Sequence, residues 1–266
     1  MKNKHSILLF LFFTALHVQG QEWQLQSEFE LKAKAHRVSY DNYKSIAITD
    51  INGTLYKYDS LGKLINTYSP PKRSKVALLE ADRMMNIFLF YENFQEYVFL
   101  DRFFNQTQPL SLPRDRVGFA RVATVALDNN LWLFDDLDFS LKKFNTRFQN
   151  IDITTPLNLI LDASEYEISF LREYQNQLYV VDKNSGILVF DNLGNYKTKL
   201  PFKGVNWFGF LNNEIYFVQN EELVLYDLYT YKEKRMSMPV KTDFVLLFEQ
   251  KAYFPVENKI LIYTFK

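Results

Sequence analysis

The sequence predicts an all-β chain, a six-bladed β-propeller whose last blade is closed by the N-terminal strand. Three observations predict it. An alternating strand, a tight turn and a more polar strand recur as TLYKYDSLGKLINTYSP (54–70) and GILVFDNLGNYKTKLPF (186–202), with weaker copies at 97–106, 141–150, 223–232 and the C-terminal ILIYTFK. The residue following the last apolar position of each copy is Asp59, Asp101, Asn145, Asp191, Asp227 and Thr264, a mean period of about 41 residues. Short strands repeating every 40–50 residues or so are the mark of propeller blades. Finally, the last repeat (244–266) has three strand-like runs, FVLLF, KAYFP and KILIYTF, while EWQLQSEFEL (22–31) is a spare alternating strand near the N-terminus. Closing the ring with the spare strand removes an exposed sheet edge.

The blades follow in order. Blade one reads HRVSY, SIAIT, TLYKY and KLINTY (36–68), its first hairpin carrying the Asn52-Gly53 turn signal. Blade two reads VALLE, NIFLF, EYVFL and QPLSL (76–112), and blade three VATVAL, LWLF, SLKKF and NIDI from Val122 onward. Blade four is ISFLRE, QLYVV, ILVF and YKTKL (168–200), and blade five WFGFL, EIYFV, LVLY and KRMSM (207–238). Pro201 and Pro239 fall just past outer strands, where a missing N–H harms no central ladder. Within the connection 152–167, NLIL (158–161) reads equally as an extra strand or a turn of helix.

Residues 1–20 read as a secretory signal peptide. Lys2, Lys4 and His5 precede an apolar run at 7–16, and Val18-Gln19-Gly20 supplies a cleavage site. The run is too short to span a bilayer, which takes roughly 20 apolar residues. Residues 21–266 then form a single exported, periplasmic propeller domain with no membrane span after cleavage. The absence of cysteine means that this chain needs no disulfide, and it is long enough to bury a core without one. Balanced charge, with 31 basic and 31 acidic residues, gives no electrostatic case for nucleic acid.

Reactive residues are scarce. Of three histidines only His36 lies beyond the signal, on the innermost strand of blade one beside Arg37. Both are expected to line the channel. With no Cys and one His, a zinc site lacks its usual ligands, and no cofactor or metal is expected. The acidic run Asp135-Asp136-Leu137-Asp138 lacks the glycine-spaced oxygen ligands of a calcium loop. Aromatic residues instead crowd FLFYENFQEYVFLDRFF (88–104), and Phe94 falls at a hairpin tip where Asn, Gly or Ser is usual. An aromatic tip suits a protein partner. Tyr91, Phe94, Asp136 and Phe139, on loops of blades two and three, are the expected contact residues.

The YDSLGKL (58–64) and FDNLGNY (190–196) turns resemble the Asp-x-x-Gly turns of six-bladed propellers of the NHL and TolB-like superfamily. That superfamily includes lactonases, lyases and pure binding modules. As an exported, cysteine-free propeller the chain is similar to accessory subunits of Bacteroidota envelope machines, such as the type IX secretion translocon. The resemblance implies a non-enzymatic protein-binding module whose partner is another envelope protein. The alternative is a hydrolase or lyase acting on a sugar or peptide at the channel mouth, with His36 and a nearby carboxylate.

Overall fold

The computed structural model describes residues 23–41, 43–82, 86–105 and 108–265; the segment read as a signal peptide lies outside the described residues. Six four-stranded antiparallel sheets make six blades. Blade one holds β2 (Arg37–Tyr40), β3 (Ile46–Thr49), β4 (Leu55–Tyr58) and β5 (Leu64–Tyr68). Blade two holds β6 (Leu78–Glu80), β7 (Ile87–Tyr91), β8 (Glu96–Leu100) and β9 (Leu110–Ser111). Blade three holds β10 (Ala120–Val125), β11 (Leu131–Asp135), β12 (Ser140–Asn145) and β13 (Asn150–Pro156). Blade four holds β14 (Ile168–Tyr174), β15 (Gln177–Asp182), β16 (Gly186–Asp191) and β17 (Tyr196–Leu200). Blade five holds β18 (Gly209–Leu211), β19 (Glu214–Gln219), β20 (Glu222–Asp227) and β21 (Glu233–Ser237). Blade six is β22 (Leu246–Phe248), β23 (Lys251–Val256) and β24 (Lys259–Thr264), completed by β1 (Gln24–Glu30) as its outer edge.

The closing strand is antiparallel to β24, with Glu30 opposite Lys259 and Gln24 opposite Thr264. Its own side chains are mostly exposed, as befits an edge. Anchors at its two ends hold it. The Trp23 indole packs edge-on to Phe254 at 5.3 Å and donates its N–H to the Ser237 carbonyl of blade five at 2.7 Å. At the far end Phe29 meets Tyr58 of blade one at 5.7 Å, and the Lys32 amide donates to the Tyr58 hydroxyl at 2.9 Å. The strand therefore ties blade six to both of its neighbours. Beneath Phe29 lies Gly62, where a Cβ would sit 2.3 Å from the ring.

Nearly continuous apolar runs such as IFLFY (β7) and LWLFD (β11) bury both faces of the middle strands, so blades pack face to face. One cluster joins blades three and four through Trp132, Phe134, Leu171 and Leu188; another joins blades one and two through Leu55, Leu79 and Leu89. The first strands of neighbouring blades contact one another around the axis. The face where these strands begin is called the upper face and the face where they end the lower.

One turn recurs around the ring. At Asp41, Asp50, Asp59, Asp101 and Asp191 the carboxylate Oδ1 accepts the N–H groups two and four residues on, at 2.8–2.9 Å. The fourth residue has positive φ in every case: Lys44 (63°), Gly53 (84°), Gly62 (84°), Phe104 (61°) and Gly194 (81°). Two of the five thus hold a side chain where glycine is at ease, because the two carboxylate bonds offset a left-handed cost of about 1–2 kcal/mol. The connection after β13 is neither strand nor helix. It is a turn in which the Ile160 and Leu161 amides both donate to the Leu157 carbonyl, and Leu157 and Leu161 seal the core between blades three and four.

Candidate functional site

On the upper face, blades two and three are joined by polar clamps that leave apolar side chains outside. After Tyr91 the chain makes one 3-10 turn, Glu92–Phe94, and Gln95 takes a left-handed conformation. The Gln95 side-chain amide donates to the Ala120 carbonyl at 2.8 Å and accepts the Ala120 N–H at 2.7 Å. That pair fixes the blade-two loop to the start of β10. Asp135 fixes the next loop: its carboxylate accepts the N–H groups of Gly118 (2.7 Å), Phe119 (2.9 Å) and Leu137 (3.1 Å). The Lys142 ammonium also binds Asp135, at 2.7 Å, and Asp138, at 2.6 Å. Burial works to raise the Asp135 pKa, but the lysine and the amides outweigh it and hold the carboxyl below its ordinary range.

Asp136 accepts two bonds from the Arg121 guanidinium and one from the Tyr166 hydroxyl at 2.6 Å. Here too burial pushes the pKa up and the donors win, leaving it lowered. Arg121 reaches Glu92 at 4.0 Å, linking the two loops again. The acidic run 135–138 is therefore occupied by the chain's own cations and amides. Phe139, at φ 53°, packs on Tyr166 at 4.7 Å and Phe134 at 6.0 Å. Tyr91 is buried, with its hydroxyl 3.4 Å from the Gly53 carbonyl. Of the four residues singled out in sequence, Phe94 stands most open, 37% exposed, with the Lys72 ammonium 5.1 Å from its ring centre. Phe119 (36%) and Leu137 (78%) are exposed on the loops that the Gln95 and Asp135 clamps hold, while the Phe94 ring faces Pro70, Pro71 and Lys72 across a cavity of about 310 Å³. Neither carried a sequence signal, since a lone apolar residue in a loop is ordinary.

At the centre of this face His36 and Arg37 line two adjoining clefts of about 310 and 360 Å³, one shared with Lys75, Glu92 and Arg121, the other with Asp243 and Trp207. Arg37 donates to the Ala77 carbonyl at 2.9 Å and the His36 carbonyl at 3.1 Å. Burial, then the charges of Arg37 and Lys75, bring the His36 pKa down to about 4 from its ordinary 6.5. As pH falls, the unfolded chain takes up this proton before the folded one does. His36 therefore favours folding fully above about pH 6.5, and that contribution drains away toward pH 4. Urea midpoints measured across this window should fall for the natural protein and fall less for His36→Gln. Parallel slopes would place the titration elsewhere.

The lower face has a wider mouth, a cavity of about 680 Å³ to which all six blades contribute. Tyr174 stacks on Phe210 there at 4.1 Å with the rings 7° from parallel. Beneath it a charged network crosses from blade four to blade two. Arg172 Nε donates to Glu80 Oε1 at 3.1 Å, and Nη1 lies 3.4 Å from Asp82 Oδ2. Glu80 also accepts from the Thr124 hydroxyl (2.7 Å) and the Val125 amide (3.0 Å). Burial alone would depress the Arg172 pKa, but Asp82 and Glu80 raise it. Glu173 accepts from the Trp132 indole at 2.9 Å and the Leu127 amide at 3.1 Å.

No protein-family model and no curated protein matches the chain. Solved structures do. The virginiamycin B lyase of Staphylococcus aureus superposes with a TM-score of 0.62 at 12% identity, covering 91% of this chain and 99% of that one. BamB from Moraxella catarrhalis superposes with a TM-score of 0.54 at 10% identity, covering 92% and 98%. The extracellular domain of BT4673 from B. thetaiotaomicron gives 0.59 at 12% identity, covering 86% of this chain and 33% of that one. The likeness is one of fold. A lyase stands among these propellers beside proteins not so named, so the architecture leaves the choice of function to the sites.

Proposed function

We propose that the chain is a non-enzymatic, exported propeller that binds another protein of the cell envelope through the upper face of blades two and three. The observation that carries this is the trio Phe94, Phe119 and Leu137, exposed on loops already tied together by Gln95, Asp135 and Arg121. Apolar side chains held out by a rigid polar frame lose little entropy on binding, and aromatic anchors of this kind carry much of an interface's energy. Residues 21–266 act as one exported unit in this reading, and a subunit of an envelope machine such as the type IX translocon is the role it fits. That one of the similar folds is an extracellular domain agrees with export. Among the described residues no helix is long and apolar enough to cross a membrane.

The hydrolase or lyase alternative asks His36 to take a proton near neutral pH. A base with a pKa of about 4 is poorly matched to that task. Of the three carboxylates that line the clefts beside it, Glu92, Glu167 and Asp243, two are engaged, Glu92 facing Arg121 and Glu167 held by Lys183.

The test is co-purification from envelope extracts. The unaltered protein should retain one stoichiometric partner, and the double variant Phe94→Asp, Leu137→Asp should weaken that partner by about a hundredfold or more, as loss of two central anchors does. Both positions are at the surface, so thermal stability should move by only about 0.5 kcal/mol. Equal retention by the double variant would refute the assignment.

A further inference from the structure

The lower mouth is independent of the upper-face platform and has a chemistry of its own. Tyr40, Tyr174, Phe210 and Phe248, from blades one, four, five and six, wall a cavity of about 680 Å³. Cavities of roughly 300–1,000 Å³ hold small organic ligands. Its floor is Asp82.

Among the described residues, three carboxylates, Glu80, Asp82 and Glu173, share this region with the guanidinium of Arg172. Glu80 and Glu173 use both of their oxygens in hydrogen bonds. Asp82 does not: among the described residues Oδ2 has only the long 3.4 Å contact to Arg172, and Oδ1, itself shielded from solvent, accepts no hydrogen bond. An excess of negative charge in a site mostly withdrawn from water is costly unless a cation offsets it. Among the described residues that line the mouth there is no lysine or arginine, and Lys44 beside it is paired with Glu249 at 3.0 Å. The same Lys44 ammonium lies 4.9 Å from the centre of the Phe248 ring, so an aromatic wall of this mouth already accepts a cation.

We infer that the lower mouth binds an organic cation of the alkylammonium or guanidinium class, with Asp82 as its counter-charge and the four aromatic rings as its walls. The cavity is large enough for a whole small amine, and equally for the side chain of a lysine or arginine presented by a peptide.

The experiment is a titration of the full chain followed through the ring resonances of Tyr40, Tyr174, Phe210 and Phe248. The probes, at constant ionic strength, are n-butylammonium chloride, the capped tripeptide acetyl-Gly-Lys-Gly-amide, n-butanol and methyl β-glucoside. An ammonium probe is expected to saturate the shifts, with the two neutral probes at least about tenfold weaker, since a charge-assisted contact is worth that much. Preference for the tripeptide would identify a protein segment as the source, and preference for butylammonium a free amine. Asp82→Asn should weaken the ammonium probe at least about tenfold, whereas Glu257→Gln, an exposed carboxylate in the hairpin at the opposite end of blade six, should change it by less than about threefold. Failure of both ammonium probes to saturate, equal binding of n-butanol or the glucoside, or unchanged affinity in a folded Asp82→Asn protein would overturn the inference. Should Asp82→Asn not fold, the comparison of butylammonium with butanol on the natural protein decides the same point.

Discussion

Arg172→Leu is expected to destabilise the fold by about 3–5 kcal/mol, the cost of leaving buried carboxylates without their counter-ion. The guanidinium is 5% exposed, bonds Glu80 at 3.1 Å and lies over the Phe170 ring at 5.3 Å. Through Glu80, Thr124 and Val125 it connects the first strands of blades two, three and four. Removing both charges at once should hurt less. Arg172→Leu with Glu80→Leu is expected to be more stable than the sum of the two single changes implies, by about 1–3 kcal/mol, because Glu80 is no longer left as an orphaned charge and Asp82 alone loses its partner. Urea denaturation of the four proteins measures this directly. A loss under about 1 kcal/mol in Arg172→Leu would mean that the network contributes nothing to the fold.

Removing residues 23–31 is expected to abolish the single cooperative unfolding transition and to produce oligomers on size exclusion. Without β1 the backbone of β24 becomes an open edge, ready to pair with another chain. Blade six would also lose its ties to blades five and one, made by Trp23 and Phe29. Trp23→Ala alone should cost about 2–3 kcal/mol, below the roughly 3–5 of a fully buried aromatic, because the indole is only half-buried. A truncated chain that remained monomeric and melted in one step near the natural temperature would show that closure lies elsewhere.

The strands and the closure were legible in the sequence because they are local patterns. Period-two alternation marks each strand, and the leftover strand at one end answers the shortfall at the other. The turns were half legible. Asp59 and Asp191 carry Asp-x-x-Gly openly, yet Asp41 and Asp101 make the same turn with Lys44 and Phe104 in the glycine place. The aspartate, which supplies both hydrogen bonds, is the determinant; glycine merely lowers the strain. The charged network was not legible. Arg172 and Glu80 lie 92 residues apart, and no spacing announces a contact across two blades. The available hint was a charge inside an apolar inner strand, Glu80 in VALLE and Arg172 in ISFLRE. Phe119 and Leu137 were missed for the opposite reason. Each is unremarkable alone, and only the clamps at Gln95 and Asp135 tie their loops to the one that carries Phe94.

Hydrogen–deuterium exchange of the isolated complex against the free propeller tests the upper-face platform most directly. New protection should map to the amides of residues 92–95, 117–120 and 135–139, and leave the lower mouth around Tyr174 and Phe210 unchanged. Protection confined to other blades, or to the lower mouth, would contradict the account.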